Sequence, residues 1–390
     1  MEYKPELIYL DYNATTPIDQ KVFKSMLPFL QSNFGNPSSS HVFGRVPKDA
    51  VENSRKQVAA LIGANVDEII FTSGGTESNN HAIIGTALAN KEKGNHIITS
   101  IIEHPAVLET CRYLERLGFR ITYLPVDEYG LVHPEDVQAA IIDDTILITI
   151  MHTNNEVGTI QPIEEIGEIA KKKEVPLHTD AAQSCGKVEV DVEKLQLDLL
   201  TVAGHKIYAP KGVGALYVRK GTAIDNFVHG AGQKGGRRAG TENVLYIVGF
   251  GVACKIAKDI LPVFSREVRT LRDNLYKNLL DGIDNERVKL NGHPERRLPN
   301  TLNVSIIGAV GEMLLSSIHG IAASTAAACH SGSFEPSKVL LALGLTNEEA
   351  LGALLLSLGR GTTKEEVDKA SRLIVEHANE ILKVQSRQGY

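Results

Sequence analysis

The sequence predicts an α/β protein with a large, mostly parallel β-sheet domain and a second, smaller α+β domain. From about residue 48 to about residue 250, short apolar runs alternate with longer helical patterns. This alternation is typical of a parallel sheet that carries helices on both faces. After about residue 260 the alternation stops and helical patterns dominate. The length of 390 residues exceeds one ordinary domain core, so we expect two domains.

The strands of the large sheet are predicted, in chain order, at "DEIIFTS", "NHIITS", "TILITIM", "VPLHTD", "LDLLTVAG" and "VGALYVRKG". Helices are predicted between them at "TESNNHAIIGTALANKEKG", "HPAVLETCRYLERLG" and "PIEEIGEIAKKKE". The smaller domain is predicted to contain the helix "FSREVRTLRDNLYKNLLDGI", the strand "LPNTLNVSI" and the closing helix "TKEEVDKASRLIVEHANEILK". We therefore expect a large domain of residues 16–260 and a small domain of residues 1–15 plus 261–390.

The composition argues against several classes of protein. Hydrophobic residues make up 43% of the chain and charged residues 23%, which is typical of a soluble globular protein. The net charge of −6 gives no electrostatic reason to expect a nucleic-acid partner. Apolar runs such as "TILITIM" and "ALLLSL" are much shorter than the roughly 18 residues of a membrane span. The first residues lack a basic segment followed by an apolar run, so we expect no secretory signal.

The four cysteines, Cys111, Cys185, Cys254 and Cys329, lie far apart and form no CxxC pair. This spacing argues against a zinc site and against a disulfide scaffold, so we expect no metal and a reduced, cytoplasmic protein. Cys185 and Cys254 lie among small and apolar residues and are expected to fill the core. Cys329 differs, because its surroundings "STAAACHSGS" contain no large apolar side chain that could bury it.

Ligands of parallel sheets bind at the carboxyl ends of the strands, so the residues that follow each strand are candidates for a site. After "DEIIFTS" come Gly74 and Gly75, which allow close backbone approach, and Thr76 in the first turn of a helix. The N-terminus of a helix is a favourable place for an anion. The same residues would also suit an ordinary helix start.

Polar residues follow the other predicted strands as well, namely His104, Asn154, Asn155, Glu156, Asp180, Gln183, His205 and Lys206. A lysine, a carboxylate and an anion site at neighbouring strand ends are the groups that pyridoxal 5′-phosphate requires. The lysine forms a Schiff base, the carboxylate holds the pyridinium proton, and the helix N-terminus takes the phosphate. The alternatives are a surface lysine beside a turn for Lys206 and a structural polar group for His104.

Twelve blocks carry a resemblance along nearly the whole chain: "YLDYNATTP", "FGNPSSSH", "IIFTSGGTESNN", "IEHPAV", "NNEVGTIQP", "HTDAAQ", "GHKIYAPKGVGALYVRKG", "RRAGTENV", "LPNTLNVS", "ACHSG", "PSKVL" and "LSLGR". With these blocks the chain resembles the cysteine desulfurase family and its close relative, selenocysteine lyase. The resemblance implies the aspartate-aminotransferase fold (fold type I), pyridoxal 5′-phosphate as the cofactor, and a homodimer.

By this resemblance, Lys206 would carry the cofactor covalently and would later move protons. Asp180 would pair with the pyridine nitrogen. His104 would stack on the ring and assist acid–base steps. Gln183 and Asn155 resemble the residues that contact the ring hydroxyl and the nearby substrate.

The resemblance also implies phosphate contacts from Gly75, Thr76, His205 and, supplied by the neighbouring subunit, Thr241. Cys329 matches the nucleophile of the family. That nucleophile lies on a mobile loop, which here would cover about residues 324–336.

Three positions depart from the family pattern. Ala203 stands where the desulfurase branch usually has a serine that contacts the phosphate. Leu355 stands where the family commonly has an arginine that binds the substrate carboxylate, and "QKGGRR" replaces the usual "QERGLR". Arg238 is a candidate for the missing arginine. Asn13 and Arg360 complete the candidate substrate-binding residues.

These observations predict a cysteine desulfurase that converts L-cysteine to L-alanine and passes the sulfur to Cys329 as a persulfide. An iron–sulfur scaffold or a tRNA-thiolation relay would be the acceptor. Selenocysteine lyase, acting on L-selenocysteine, is the first alternative, because "VAGHK" and "AACHS" resemble that branch equally well. A non-catalytic scaffold would explain Ala203 and Leu355 but not the intact lysine, aspartate and cysteine. An ordinary aminotransferase would leave Cys329 without a role.

Overall fold

The computed structural model describes residues 7–233, 236–325, 328–330 and 333–388. Its strands are β1 (Ile8–Tyr9), β2 (Ile69–Thr72), β3 (His96–Ser100), β4 (Arg120–Leu124), β5 (Thr145–Thr149), β6 (Leu177–Asp180), β7 (Leu199–Ala203), β8 (Gly214–Val218), β9 (Gly232–Gln233), β10 (Arg238–Ala239), β11 (Val288–Leu290), β12 (Thr301–Ile306), β13 (Ile321–Ala322), β14 (Ala328–His330), β15 (Ser333–Glu335) and β16 (Ala353–Ser357). Its helices are α1 (Gln20–Gln31), α2 (Val42–Ile62), α3 (Gly75–Ala89), α4 (Pro105–Arg116), α5 (Pro134–Ala140), α6 (Ile163–Lys172), α7 (Val244–Gly282), α8 (Gly311–Ser317), α9 (Lys338–Ala342), α10 (Asn347–Leu351) and α11 (Lys364–Gln388).

The large sheet has seven strands in the order β2-β8-β7-β6-β5-β3-β4. All neighbouring pairs from β7 to β4 are parallel, whereas β8 runs antiparallel to both β7 and β2. The carboxyl ends of β3, β5, β6 and β7 therefore meet at one edge of the sheet. The predicted α/β fold with a mostly parallel sheet is confirmed.

Both faces of the large sheet are covered by helices, as expected for a parallel sheet. On one face, Val58 of α2, Ile166 of α6 and Phe250 of α7 pack with buried strand residues in one apolar core. On the other face, α3 and α4 contribute Ile83 and Leu114 to a second core. Every residue of β3, β5, β6, β7 and β8 is buried, so these strands do not alternate between buried and exposed positions.

A smaller antiparallel sheet, in the order β11-β12-β16, forms the other half of the structure. Its core includes Leu354 and Leu356 of β16, Leu275 of α7 and Ile374 of α11. Leu355, between the two buried leucines, points to the opposite face because side chains alternate along a strand. That face turns toward the site described below.

Helix α7 spans 39 residues and belongs to both halves of the structure. Phe250 near its start packs in the core of the large sheet, and Leu275 near its end packs in the core of the small sheet. The predicted domain boundary after residue 260 falls inside this helix. The division into domains stays a prediction.

Between β2 and β8, two elements were not predicted, β4 and α5, and outside this stretch α1, α2, β11 and β16 were among those not predicted. Only Leu124 of β4 is buried, so this edge strand lacks the apolar run that marks its neighbours. Helix α5 has seven residues, too few for a clear helical period. The segment around Cys329, predicted as a loop, contains the short hairpin of β14 and β15. No helix in the described part of the chain is long and apolar enough to cross a membrane.

Candidate active site

A cavity of about 500 Å³ opens where the carboxyl ends of the parallel strands face the small sheet. It is lined by nine of the predicted site residues, Asn13, Gly75, Thr76, His104, Asn155, Asp180, Gln183, His205 and Lys206. The two departures from the family pattern, Ala203 and Leu355, line the same cavity. The structure therefore brings together residues that lie up to 344 positions apart, from Asp11 to Leu355.

Lys206 ends a single 3₁₀ turn that directly follows β7. Its Nζ donates hydrogen bonds to the backbone carbonyls of Asn13, at 2.5 Å, and Ala14, at 2.8 Å. Burial lowers the pKa of Lys206 to about 8, although the carboxylates of Asp180 and Asp11 act in the opposite direction. The amine is therefore much easier to deprotonate than an exposed lysine.

Asp180 is the last residue of β6 and is only 8% exposed. Its Oδ2 accepts a hydrogen bond from Asn79 Nδ2 at 2.7 Å, and its Oδ1 accepts one from the Ala182 N–H at 2.9 Å. These two donors hold the carboxylate in one orientation. Asn79 was not predicted, because nothing in "TESNN" separates it from the neighbouring polar residues.

His104 lies at the N-cap of α4, where its Nδ1 accepts a hydrogen bond from the Ala106 N–H at 3.1 Å. The acceptor role at Nδ1 places the proton of the neutral ring on Nε2. Burial lowers the pKa of His104, with Asp180 raising it and Lys206 lowering it further. The ring is therefore neutral near pH 7 and presents an N–H donor.

The start of α3 and the turn after β7 form the anion end of the cavity. Gly75 opens α3, and a Cβ atom at this position would lie 3.4 Å from Ala203 Cβ. The first N–H groups of a helix have no partner within the helix and are free to bind a ligand. His205 contacts Thr15 Oγ1 through Nδ1 at 3.2 Å, and burial lowers its pKa to about 4. Ala203 contributes no hydroxyl here.

Leu355 forms the wall of the cavity contributed by the small sheet and is 7% exposed. Two carboxyl groups, Asp11 and Glu156, line the cavity as well. Burial raises the pKa of Glu156 to about 7 despite a hydrogen bond from Ser337. Burial also raises the pKa of Asp11, which accepts from Ser324 Oγ at 2.9 Å. No arginine lines this cavity in the described part of the chain.

Three predicted residues lie outside the cavity. Thr241 and Arg238 line a different cavity, and Arg238 forms an ion pair with Glu77 at 2.9 Å. The guanidinium of Arg360 stacks 4.2 Å from the centre of the Tyr208 ring. Neither arginine therefore replaces the missing one at the cavity wall of this chain, and their substrate contacts stay predictions.

Cys329 lies on β14, opposite Phe334 of β15 in the hairpin register. The position of its side chain lies outside the described part of the structure, as do residues 326–327 and 331–332. Ser324 and Thr325, which precede this hairpin, line the cavity. The backbone that carries Cys329 thus begins at the cavity rim.

The comparisons with known proteins identify the family of the chain. The profile of the family "Aminotransferase class-V" matches residues 8–370. The chain belongs to this family. A protein named cysteine desulfurase IscS from Methanosarcina thermophila is 52% identical over 95% of this chain and 91% of that protein. One with the same name from Dictyoglomus turgidum is 50% identical over 93% of this chain and 92% of that protein.

Two solved structures are also similar. A "NifS-like protein" has a TM-score of 0.89 at 39% identity and covers 95% of this chain and 98% of its own. The structure titled "SspA in complex with cysteine" has a TM-score of 0.79 at 39% identity, covering 90% of this chain and 98% of its own. The predicted resemblance to cysteine desulfurases is confirmed by these relatives.

Pyridoxal 5′-phosphate is the cofactor of this family, and the donor set of the cavity fits it. A half-buried amine, Lys206, shares the cavity with a buried carboxylate, Asp180, and with the N-terminus of α3. These are the groups that hold the aldehyde, the ring nitrogen and the phosphate. In the described residues, no group of three His, Cys, Asp or Glu side chains could hold a metal ion.

The pKa of Lys206 predicts how its reactivity depends on pH. In cofactor-free protein, acetylation of Lys206 should rise tenfold per pH unit and level off near pH 8, with exposed lysines as the internal reference. Because the charge of Asp180 favours the ammonium form, Asp180→Asn should move this midpoint to lower pH. Peptide mass spectrometry measures both profiles. An unchanged or higher midpoint in Asp180→Asn would contradict the coupling of these two groups.

Proposed function

We propose that this protein is a pyridoxal 5′-phosphate-dependent cysteine desulfurase, which converts L-cysteine to L-alanine and takes the sulfur onto Cys329 as a persulfide. The observation that carries the proposal is the meeting of Lys206, Asp180 and the start of the Cys329 segment at one cavity. The name of the relatives, at 50–52% identity, supports the same activity.

The cofactor, when bound, supplies an electron sink for the substrate carbon atoms. Lys206 would hold it covalently and, once released, its amine of lowered pKa would remove and return a proton at the substrate Cα. Asp180 would bind the ring nitrogen. Gly75, Thr76 and His205 would bind the phosphate. His104, with its proton on Nε2, would present an N–H donor to the cavity.

Sulfur transfer to Cys329 follows from the chemistry of the thiolate, which is the nucleophilic form. The Cys329 thiolate would attack the substrate sulfur, and the bond between that sulfur and Cβ would break. The electron pair of the broken bond stays with carbon, which becomes the methyl group of alanine after protonation. The balance is one sulfur atom gained by Cys329 and one alanine released, with no external oxidant or reductant.

Cys329→Ala tests this mechanism. Sulfide and alanine formation from L-cysteine should fall at least about a hundredfold, because the nucleophile is removed. Cys111→Ala is the matched control, since Cys111 is a buried thiol in the apolar core between the large sheet and helices α3 and α4. Both variants are assayed with L-cysteine and reductant, with alanine as the quantified product. Normal alanine formation by Cys329→Ala would contradict the persulfide mechanism.

Selenocysteine lyase is the alternative suggested by "VAGHK" and "AACHS", and the names of the relatives favour the desulfurase over it. A selenol loses its proton more readily than a thiol, so a lyase need not depend on Cys329. The same assay distinguishes the two. In a desulfurase, Cys329→Ala should lose the turnover of cysteine. In a lyase, wild type and Cys329→Ala should release selenide from selenocysteine equally well, and both should prefer selenocysteine to cysteine.

Leu355 offers no positive charge to the substrate carboxylate, and two carboxyl groups, Asp11 and Glu156, line the same cavity. We therefore expect the substrate carboxylate to bind weakly. Leu355→Arg should lower the KM for L-cysteine about tenfold with a smaller change in kcat, since a guanidinium pairs well with a carboxylate. Leu355→Met is the control of similar volume without charge and should keep KM within about twofold. Steady-state kinetics measures both, and a higher KM in Leu355→Arg would place the carboxylate elsewhere.

A homodimer is the proposed assembly, in which Thr241 would serve the cavity of the other subunit. The apolar residues Leu30, Phe34, Val42 and Phe43 support this, because they are 62%, 77%, 64% and 58% exposed around the start of α2. Such a patch is typical of an interface. Phe43→Glu should shift the protein toward the monomer in sedimentation, whereas Val263→Glu, on an exposed face of α7, should not. Equal masses for both variants would contradict this interface.

The sulfur acceptor is proposed to be a protein such as an iron–sulfur scaffold. The location is proposed to be cytoplasmic, because the described cysteines Cys111, Cys185 and Cys254 are free thiols. Free thiols persist in a reducing compartment.

A further inference from the structure

Lys187 is a buried lysine that the mechanism above does not use. It lies in the turn after Gln183, is 5% exposed, and contacts no carboxylate among the described residues. Lysines are almost never buried without a charged partner, because burial disfavours the ammonium form. Burial is the main cause, and the charge of Lys206 a smaller one, that lowers the pKa of Lys187 to about 7. An apolar residue would fill this space without that penalty.

The contacts of Lys187 are two amide oxygens of the site. Its Nζ donates to Gln183 Oε1 at 2.7 Å and to Asn13 Oδ1 at 3.2 Å. Either protonation form of the amine has enough N–H groups for both contacts. Because an amide has its oxygen on one side and its nitrogen on the other, each contact selects one of two possible amide orientations.

The selected orientations direct the amide nitrogens to other parts of the site. Asn13 Nδ2 donates to the Asn155 carbonyl at 3.1 Å and to Thr301 Oγ1 at 2.9 Å. Gln183 Nε2 donates to the Asn13 carbonyl at 2.9 Å. That same carbonyl accepts the hydrogen bond from Lys206 Nζ at 2.5 Å. A hydrogen-bonded chain therefore leads from Lys187 through Gln183 and Asn13 to the lysine that would carry the cofactor.

We propose that Lys187 is a positioning residue that fixes the amides of Gln183 and Asn13, and through them the cofactor-binding groups of the cavity. Its amine does not line the main cavity but a small adjoining one, which it shares with Lys206 and Arg360. Lys187 thus acts from behind the site. The inference concerns cofactor binding and does not depend on whether the substrate carries sulfur or selenium.

The alternative is that Lys187 only stabilises the fold. Removal of a purely structural lysine would lower the thermal unfolding temperature and would leave the affinity for the cofactor unchanged. Removal of a positioning lysine takes the donor away from Gln183 Oε1 and frees that amide to turn, so that Gln183 presents the wrong atom to the cavity in part of the molecules, whereas Asn300 Nδ2 still donates to Asn13 Oδ1 at 3.2 Å. Affinity for the cofactor separates the two roles, and it requires no turnover.

The experiment is a double-mutant cycle on cofactor binding. Pyridoxal 5′-phosphate is titrated into cofactor-free wild type, Lys187→Met, Gln183→Leu and the double variant, and the apparent Kd is obtained from absorbance. We expect Lys187→Met and Gln183→Leu each to weaken binding about tenfold, and the double variant to be no weaker than the poorer single variant, because neighbours in one network are not additive. Lys194→Met, at an exposed lysine, is the control and should bind normally.

Two outcomes would overturn the proposal. The first is a Kd of Lys187→Met within about twofold of wild type. The second is a double variant whose Kd rises by the product of the two single-variant increases. Lys187→Gln keeps an N–H donor and should recover part of the affinity. If Lys187→Met does not fold, the cycle is run with Lys187→Gln. The proposal is then overturned if the Kd increases of the two single variants multiply in the double variant. Thermal unfolding of every variant separates loss of structure from loss of binding.

Discussion

The backbone carbonyl of Asn13 is the acceptor on which the site depends. It receives hydrogen bonds from Lys206 Nζ and Gln183 Nε2, and these two residues follow strands β7 and β6 of the large sheet. The N–H of the same residue donates to Ser357 Oγ at the end of β16, and its side chain reaches Thr301 of β12. One residue near the start of the chain therefore joins the two sheets. The cavity lies between the large sheet and the small sheet, where these hydrogen bonds of Asn13 connect them.

The electrostatic balance around this residue explains the reactivity of the site. Lys187 is a buried amine and Lys206 a half-buried one, and the pKa of each is lowered. Beneath the cavity, burial raises the pKa of Glu103 to about 8, and the charge of Asp180 raises it further. A protonated Glu103 adds no negative charge beside Asp180. The pKa values of both amines therefore lie close to neutral pH, which suits proton transfer near pH 7.

Much of the fold and site was predictable because the signals are local. Strands buried on both faces give unbroken apolar runs, and parallel strands place their following residues at one edge, so Asp180 and Lys206 were expected to meet. The antiparallel direction of β8 depends on pairing with two strands distant in sequence, which no local pattern encodes. Lys187 was missed for a similar reason. One of its two hydrogen-bond partners, Asn13, lies 174 positions away, and "SCGK" by itself is typical of a surface turn.

The continuous helix α7 has a mechanical consequence for the molecule. At a rise of about 1.5 Å per residue, a helix of 39 residues is about 58 Å long. It therefore connects the two cores as one continuous helix. Pro262 lies inside it and cannot donate to the carbonyl four residues earlier, which weakens one turn. Any bending of the two halves about the cavity would therefore concentrate at this turn. A bend there would change the angle at which the two sheets face each other across the cavity.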